Sequence, residues 1–290
     1  MNQLRYHLLA LAACIVWGTT FVSTKVLINY GLTPASIFLY RFLIAYVAIW
    51  LIAPRRLWAS SVADELTLLV AGIAGGSLYY ILENSALRFT LATNVSFLVS
   101  TTPLLTALVI RYFHRGGERI RRSFVWGSMV ALAGVACVVF NGRFILQLNP
   151  LGDTLTLLAS LMWAIYGLAI KRIDARYEVL FITRKVFFYG LLTILPLFAW
   201  QRPVFGSVLL NPVVAGNLLF LGLMASMLCY VIWNVAVKHL GAVRASNYIY
   251  LNPLVTLITA SLVLGEHITA VALAGGACIL AGVYWAEQGR

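Results

Sequence analysis

The chain has 290 residues, of which 62% are hydrophobic and only 10% charged. A soluble globular chain carries roughly 25% charged residues, so a water-facing globule is excluded and a surface that meets lipid is indicated. The net charge of +12 does not mark a nucleic-acid binder, because the basic residues sit in short loops between apolar runs.

A membrane span needs roughly 20 apolar residues. In chain order the qualifying runs are 7–28, 33–53, 66–88, 90–113, 122–141, 150–171, 179–200, 213–237, 241–264 and 268–286. Backbone groups in lipid must be satisfied within each run, so these are helices, and they are too long and too uniformly apolar for barrel strands. The expected fold is an all-α membrane protein of about ten transmembrane helices. The first run holds Cys14 behind Leu11-Ala12-Ala13, a pattern like a lipoprotein cleavage site. The apolar stretch before the cysteine falls short of the roughly 7–15 residues of a signal peptide, so the run is read as a retained span. Cys137, Cys229 and Cys278 also lie in apolar runs and read as small buried side chains.

The loop from Arg111 to Arg122 is rich in arginine, and Arg55-Arg56 and Lys171-Arg172 with Arg176 fill two others. A cytoplasmic N-terminus puts all three on the cytoplasmic side, with Lys238 and Arg244, and leaves Lys25, Arg88, Arg143 and Arg202 opposite. The positive-inside rule therefore expects both termini in the cytoplasm.

The second half of the chain repeats the first. Leu78-Tyr79-Tyr80-Ile81-Leu82-Glu83-Asn84 realigns 150 positions later with Leu228-Cys229-Tyr230-Val231-Ile232-Trp233-Asn234. The register holds through Ala92/Ala242, Ser96/Ser246 and Pro103-Leu104/Pro253-Leu254 to Thr106/Thr256. Trp17 to Lys25 matches Trp163 to Lys171, and Gly117-Glu118 before Gly127 and Gly134 matches Gly265-Glu266 before Gly275 and Gly282. The halves are expected at residues 1–145 and 146–290, five spans each. An odd number of spans per half forces the copies into opposite orientation, the inverted repeat from which alternating access follows.

These residues resemble the drug/metabolite transporter superfamily, and within it the ten-helix EamA-type members. The match covers nearly the whole chain. Its most specific parts are the two small-residue, Pro-Leu, Gly-Glu stretches, Ala92 to Glu118 and Ala242 to Glu266; in the first copy the Gly-Glu is displaced by two residues. The resemblance implies export of small metabolites, often amino acids, across the bacterial inner membrane. The aromatic residues of the expected cavity make the chain similar to the YddG-type amino-acid exporters.

Several residues are candidates for the work. Trp17 and Trp163 fall near mid-span, where tryptophan is unusual; they wall a cavity or pack helices. In the third span Tyr79 pairs with Glu83 and Tyr80 with Asn84, four residues apart on shared faces. Glu83 must face a cavity or a cation: it meets a substrate ammonium, takes a coupling proton, or forms a structural ion pair with Arg41, Lys25 or Arg88. Arg41 and Arg184 meet a substrate carboxylate or snorkel, and Lys25 and Lys171 are read as snorkelling. Asn94, Ser96, Ser246, Asn247, Tyr248 and Asn252 line the fourth and ninth spans, binding a zwitterion or knitting helices together. Pro103 and Pro253 free the carbonyls of Val99 and Ile249, which allows a bend or a ligand contact. Gly72 and Gly76 form a small-xxx-small pair for close packing, with a hinge as the alternative.

Protease, nucleophile-elbow, P-loop and dinucleotide motifs are absent, and His7, His114, His239 and His267 stand singly at span ends. No cofactor or metal is expected, and no enzymatic activity. The expected protein transports an amino acid or similar metabolite, apolar or aromatic ones foremost, through a cavity between the halves. Its expected surroundings are the bilayer, and a monomer is compatible with this reading. A polyspecific drug exporter, a nucleotide-sugar or phosphate-ester carrier, and an intramembrane lipid-modifying enzyme are the alternatives.

Overall fold

The computed structural model describes residues 3–53, 58–90, 92–113, 122–140, 149–201, 204–264 and 269–288. Among them there are helices and no strands. Each of the ten expected runs is occupied by helix: α1 (Leu4–Asn29), α2 (Pro34–Ile52), α3 (Val62–Phe89), α4 (Ala92–Val99 and Thr102–Phe113), α5 (Arg122–Phe140), α6 (Pro150–Ile173), α7 (Val179–Trp200), α8 (Pro212–Leu240), α9 (Ala242–Ser246, Asn247–Leu251 and Asn252–Leu264) and α10 (Ala270–Gln288). Helices α1 to α8 are long and apolar enough to cross a membrane, and α10 has a shorter apolar stretch, Ala270–Ala286. The Arg55-Arg56 pair, most of the arginine-rich loop, Arg143, Arg202, His114, His267, both Gly-Glu pairs and the expected junction at 145/146 lie outside the described residues.

Helix starts follow from local chemistry. Pro34, Pro150 and Pro212 each open a helix where a missing N–H costs nothing. The side chain just before each proline accepts a bond that the first turn would otherwise waste: Thr33 from Ser36 N (3.2 Å), Asn149 from Gly152 N (3.0 Å) and Asn211 from Val213 N (2.9 Å). Helix α3 begins at Val62, four residues before the apolar run. There Ser61 caps Asp64 N, and two acidic residues in the first turn suit the positive end of the helix. Gly241, at φ +86°, makes the tight passage from α8 to α9.

The helices that bear the repeat-related Pro103 and Pro253 are both interrupted where expected. Helix α4 breaks at Ser100-Thr101, ahead of Pro103, and α9 tightens into a 3₁₀ stretch, Asn247–Leu251, ahead of Pro253. The two carbonyls nominally released are both taken. The Thr102 hydroxyl donates to Val99 O (2.6 Å), and the Asn252 N–H donates to Ile249 O. A second irregularity recurs at the same place in each half: α3 widens into a π-helical turn at Ile73–Ser77, and α8 does so at Phe220–Leu228.

The packing has the symmetry of the repeat. Helix α1 packs on α8 and α9, and its counterpart α6 packs on α3 and α4. Helix α2 lies against its own counterpart α7 and against α8, while α7 also lies against α3. Helices α5 and α10, again counterparts, meet at glycines. A Cβ on Gly134 would stand 2.6 Å from Gly275 O, and one on Gly275 would stand 2.6 Å from Gly134 O; Gly127 and Gly282 are related in the same reciprocal way. Low numbers on α5 oppose high numbers on α10, so these counterparts run antiparallel, as an inverted repeat requires. Small residues at such a crossing let backbones approach closely, the main source of helix association in lipid. Large apolar side chains such as Leu51, Trp126, Leu262 and Tyr284 point outward from the bundle. Gly72 and Gly76 pack on α7, where a Cβ would meet Val186 O at 3.1 Å and Gly190 Cα at 3.3 Å respectively.

Candidate functional site

A pocket lies between the halves, midway along α1 and α6, with about 400 Å³ of empty space that includes its open mouth. Its wall is built largely from repeat-related pairs. Trp17 and Trp163 meet edge to face with ring centroids 5.2 Å apart. Val99 and Ile249 line it, as do Thr102 and Asn252, the residues just before the two prolines. From α3 come Tyr79, Tyr80 and Glu83, and from α1, one turn beyond Trp17, come Thr20 and Phe21. The π-helical turns stand behind this wall. Trp17 Nε1 donates to Ala225 O in the α8 turn (2.8 Å), and the Tyr230 hydroxyl donates to Gly75 O in the α3 turn. A π turn leaves carbonyls without their usual helical donors, and here aromatic side chains from other helices supply the bonds.

The repeat is broken at one position that matters for charge. Glu83 faces the pocket beside the Tyr79 hydroxyl, whereas its counterpart Trp233 fills the space against Trp17, centroids 5.0 Å apart. Among the described residues Glu83 has no cation within salt-bridge distance; the two ion pairs lie elsewhere. Arg41 is buried behind Tyr80. Its guanidinium sits 4.2 Å over the Tyr80 ring and its Nε bonds Ser226 Oγ (2.9 Å), so it does not line the pocket. Lys25 reaches Leu87 O (2.6 Å) near the end of α3, and Arg184 bonds Ala53 O at the end of α2. Both cations thus sit where a helix presents its negative end.

Of the residues singled out in the sequence, the structure brings Trp17, Tyr79, Tyr80, Glu83, Trp163 and Asn252 to one pocket. It puts several others elsewhere. Asn84 turns to α2, its Nδ2 3.4 Å from Pro34 O. Ser96 faces Thr256 (3.4 Å) and Ser246 bonds back to Val243 O (2.8 Å). The Tyr248 hydroxyl pairs with His7 Nδ1 (2.7 Å) near the start of α1. Val99 and Ile249, singled out for the carbonyls that their prolines free, also line the pocket, whereas the lining roles of Thr20, Phe21 and Thr102 were missed. A helical step of three or four from Trp17 locates Thr20 and Phe21, and the repeat register locates Thr102.

A polar cluster outside the pocket was also missed. At the start of α3, Asp64 pairs with Arg176 (2.6 Å) and with the Tyr177 hydroxyl (2.7 Å). Glu65 pairs with Lys185 and accepts from the Tyr189 hydroxyl. Every one of these bonds joins the first half to the second, at the end of the bundle that carries the α2–α3 and α6–α7 loops.

An all-helical bundle of two related halves around a shared polar-aromatic pocket defines a membrane transporter. The chain belongs to the EamA-like transporter family, whose model matches it twice, at residues 4–140 and 150–287. It is 30% identical over 290 residues to an uncharacterised transporter of Archaeoglobus fulgidus, covering 98% of this chain and 97% of that one. It is 29% identical to a probable terminal-alkyne amino-acid exporter of Streptantibioticus cattleyicolor (93% and 89% covered). It is 26% identical to a probable amino-acid metabolite efflux pump of Escherichia coli (95% and 92% covered). A solved crystal structure shares the fold with a TM-score of 0.75 at 19% identity, covering 99% of this chain and 98% of that one.

Proposed function

We propose that this protein exports small metabolites, foremost amino acids with apolar or aromatic side chains, across a bacterial inner membrane. Both termini face the cytoplasm, and residues 1–145 and 146–290 act as the two moving halves. The observation that carries this reading is the pocket: its walls come from both halves, in part at matched positions, midway along α1 and α6. Rocking one half against the other exposes such a pocket first to one side and then to the other. Trp17, Trp163, Tyr79 and Tyr80 offer flat apolar faces to a side chain, and Glu83 offers a carboxylate to an ammonium or a proton. The names of the Streptantibioticus and Escherichia relatives support amino acids as the substrate class. The chain acts as a carrier and not as an enzyme, and any uphill transport draws on an ion gradient.

Efflux from proteoliposomes holding purified protein and a panel of labelled amino acids, with and without a pH gradient, tests the proposal. Saturable efflux of some members is expected, and it weakens in Glu83→Gln. The absence of efflux above empty liposomes for every amino acid refutes the substrate class. Unchanged rate and pH dependence in Glu83→Gln removes Glu83 from the mechanism.

A further inference from the structure

The hydrogen-bonding groups of the pocket are unevenly used. Three of its donors are spent on the protein's own backbone, and the Tyr79 hydroxyl is spent on Glu83. The Trp17 indole N–H goes to Ala225 O (2.8 Å), the Thr20 hydroxyl to Trp17 O (2.7 Å) and the Thr102 hydroxyl to Val99 O (2.6 Å). Two of its acceptors keep capacity for a ligand. The Glu83 carboxylate faces the pocket with no cation in salt-bridge distance among the described residues. Asn252 Oδ1 is buried without a hydrogen-bond partner among them. Of the cations considered as partners of Glu83, Arg41 and Lys25 are turned to Ser226 and to Leu87 O and do not line the wall.

We infer that the pocket selects its substrate by a positive charge: it takes an organic ammonium carrying a flat apolar body, and a carboxylate on that substrate is dispensable. This rests on the reading above that the pocket is the transport site. An ammonium brings several N–H donors and a charge, which satisfy Asn252 Oδ1 and the Glu83 lone pairs that Tyr79 leaves free. The faces of Trp17, Trp163 and Tyr79 add cation–π attraction that strengthens when the site is dry. A carboxylate finds no cation here. It meets neutral donors at most, beside a carboxylate of the same sign, and burying a charge without a partner is unfavourable. A zwitterionic amino acid therefore binds through its amino end, and the corresponding amine or amide binds at least as well.

The test compares three ligands with one side chain: phenylalanine, phenylalaninamide (ammonium, no carboxylate) and N-acetylphenylalanine (carboxylate, no ammonium). Affinities for purified protein come from calorimetry, and efflux of each from proteoliposomes is measured in parallel. The amide is expected to bind as tightly as phenylalanine or more tightly, and the N-acetyl compound about tenfold or more weakly, a gap of about 1.4 kcal/mol. In Glu83→Gln that gap closes. Glu83→Asp, which keeps the charge, retains the order and serves if the glutamine variant folds poorly. Equal binding of the N-acetyl compound and the amide overturns the inference, as does binding of phenylalanine without the amide. If the expected affinity order holds with no efflux of any ligand, the charge selection stands and the transport reading fails. Efflux of phenylalanine with the opposite ligand order reverses that conclusion. Failure of all three to bind overturns both.

Discussion

Tyr80 and Tyr230 occupy the same position in the two halves, 150 residues apart, and their hydroxyl oxygens stand 3.4 Å from each other at the centre of the bundle. Trp17 and Trp163 meet in the same way. Residues related by the repeat thus touch their own counterparts, which places the local axis of symmetry between them. Around that axis the two environments differ: Arg41 lies over the Tyr80 ring, while Tyr230 packs edge-on against Phe42 and donates to Gly75 O. Polar asymmetry is concentrated here, on the pair Tyr80 and Glu83.

The Trp17 indole holds the α8 π turn. Trp17→Phe leaves the buried Ala225 carbonyl without its donor, at a cost of about 1–3 kcal/mol for a buried acceptor. Trp163→Phe breaks no such bond and keeps an aromatic face. A lower thermal midpoint in detergent for the first variant than for the second is the expected result. Equal midpoints would show that the π turn does not depend on the indole.

The Glu65–Lys185 pair ties α3 to α7. Lys185 is buried, its ammonium also 4.7 Å above the Trp58 and Tyr189 rings, so Lys185→Met leaves Glu65 without its cation. Removing one partner of a buried pair costs about 3–5 kcal/mol, less here because Glu65 is partly exposed. Adding Glu65→Gln recovers part of the loss. A double-mutant cycle on thermal stability measures the coupling, and strict additivity would show that the pair contributes nothing between the halves.

Two glycine positions carry opposite expectations. Gly134→Ala drives a methyl against Gly275 O and forces α5 away from α10, at about 1–3 kcal/mol. Gly216→Ala, in α8, meets nothing within 4 Å and removes a poor helix former, so stability rises by about 1 kcal/mol or less. Unfolding of both variants in detergent reads the contrast directly.

Arg41 holds Tyr80 from behind through its planar guanidinium. Arg41→Lys keeps the charge but loses the Nε bond to Ser226 and the stacking on the ring. The variant is expected to fold, to lose about 1–2 kcal/mol of stability for a charged hydrogen bond and a buried cation–π contact, and to bind substrate more weakly because Tyr80 is no longer held. Calorimetric binding alongside the thermal midpoint separates the two effects.

The sequence by itself determined the spans, the repeat, the family and the core of the pocket. Hydropathy is a local property and lipid leaves a span no choice but helix, so the ten runs were legible one by one. The repeat carried the rest, because Trp17/Trp163, Pro103/Pro253 and the Tyr-rich third helix stand out once the halves are aligned. Only the tertiary structure decided how those residues are used. Whether an indole N–H points into a pocket or onto a carbonyl of α8, whether Ser96 and Tyr248 face substrate or Thr256 and His7, and whether Asp64 and Glu65 lie free or bind the α6–α7 loop and α7 all depend on contacts between segments far apart in the chain. Neither periodicity nor composition records which of several polar faces on a buried helix meets a neighbour and which meets the cavity. That was settled by the packing of one half against the other, where close approach at glycines and the π turns set the rotation of each helix.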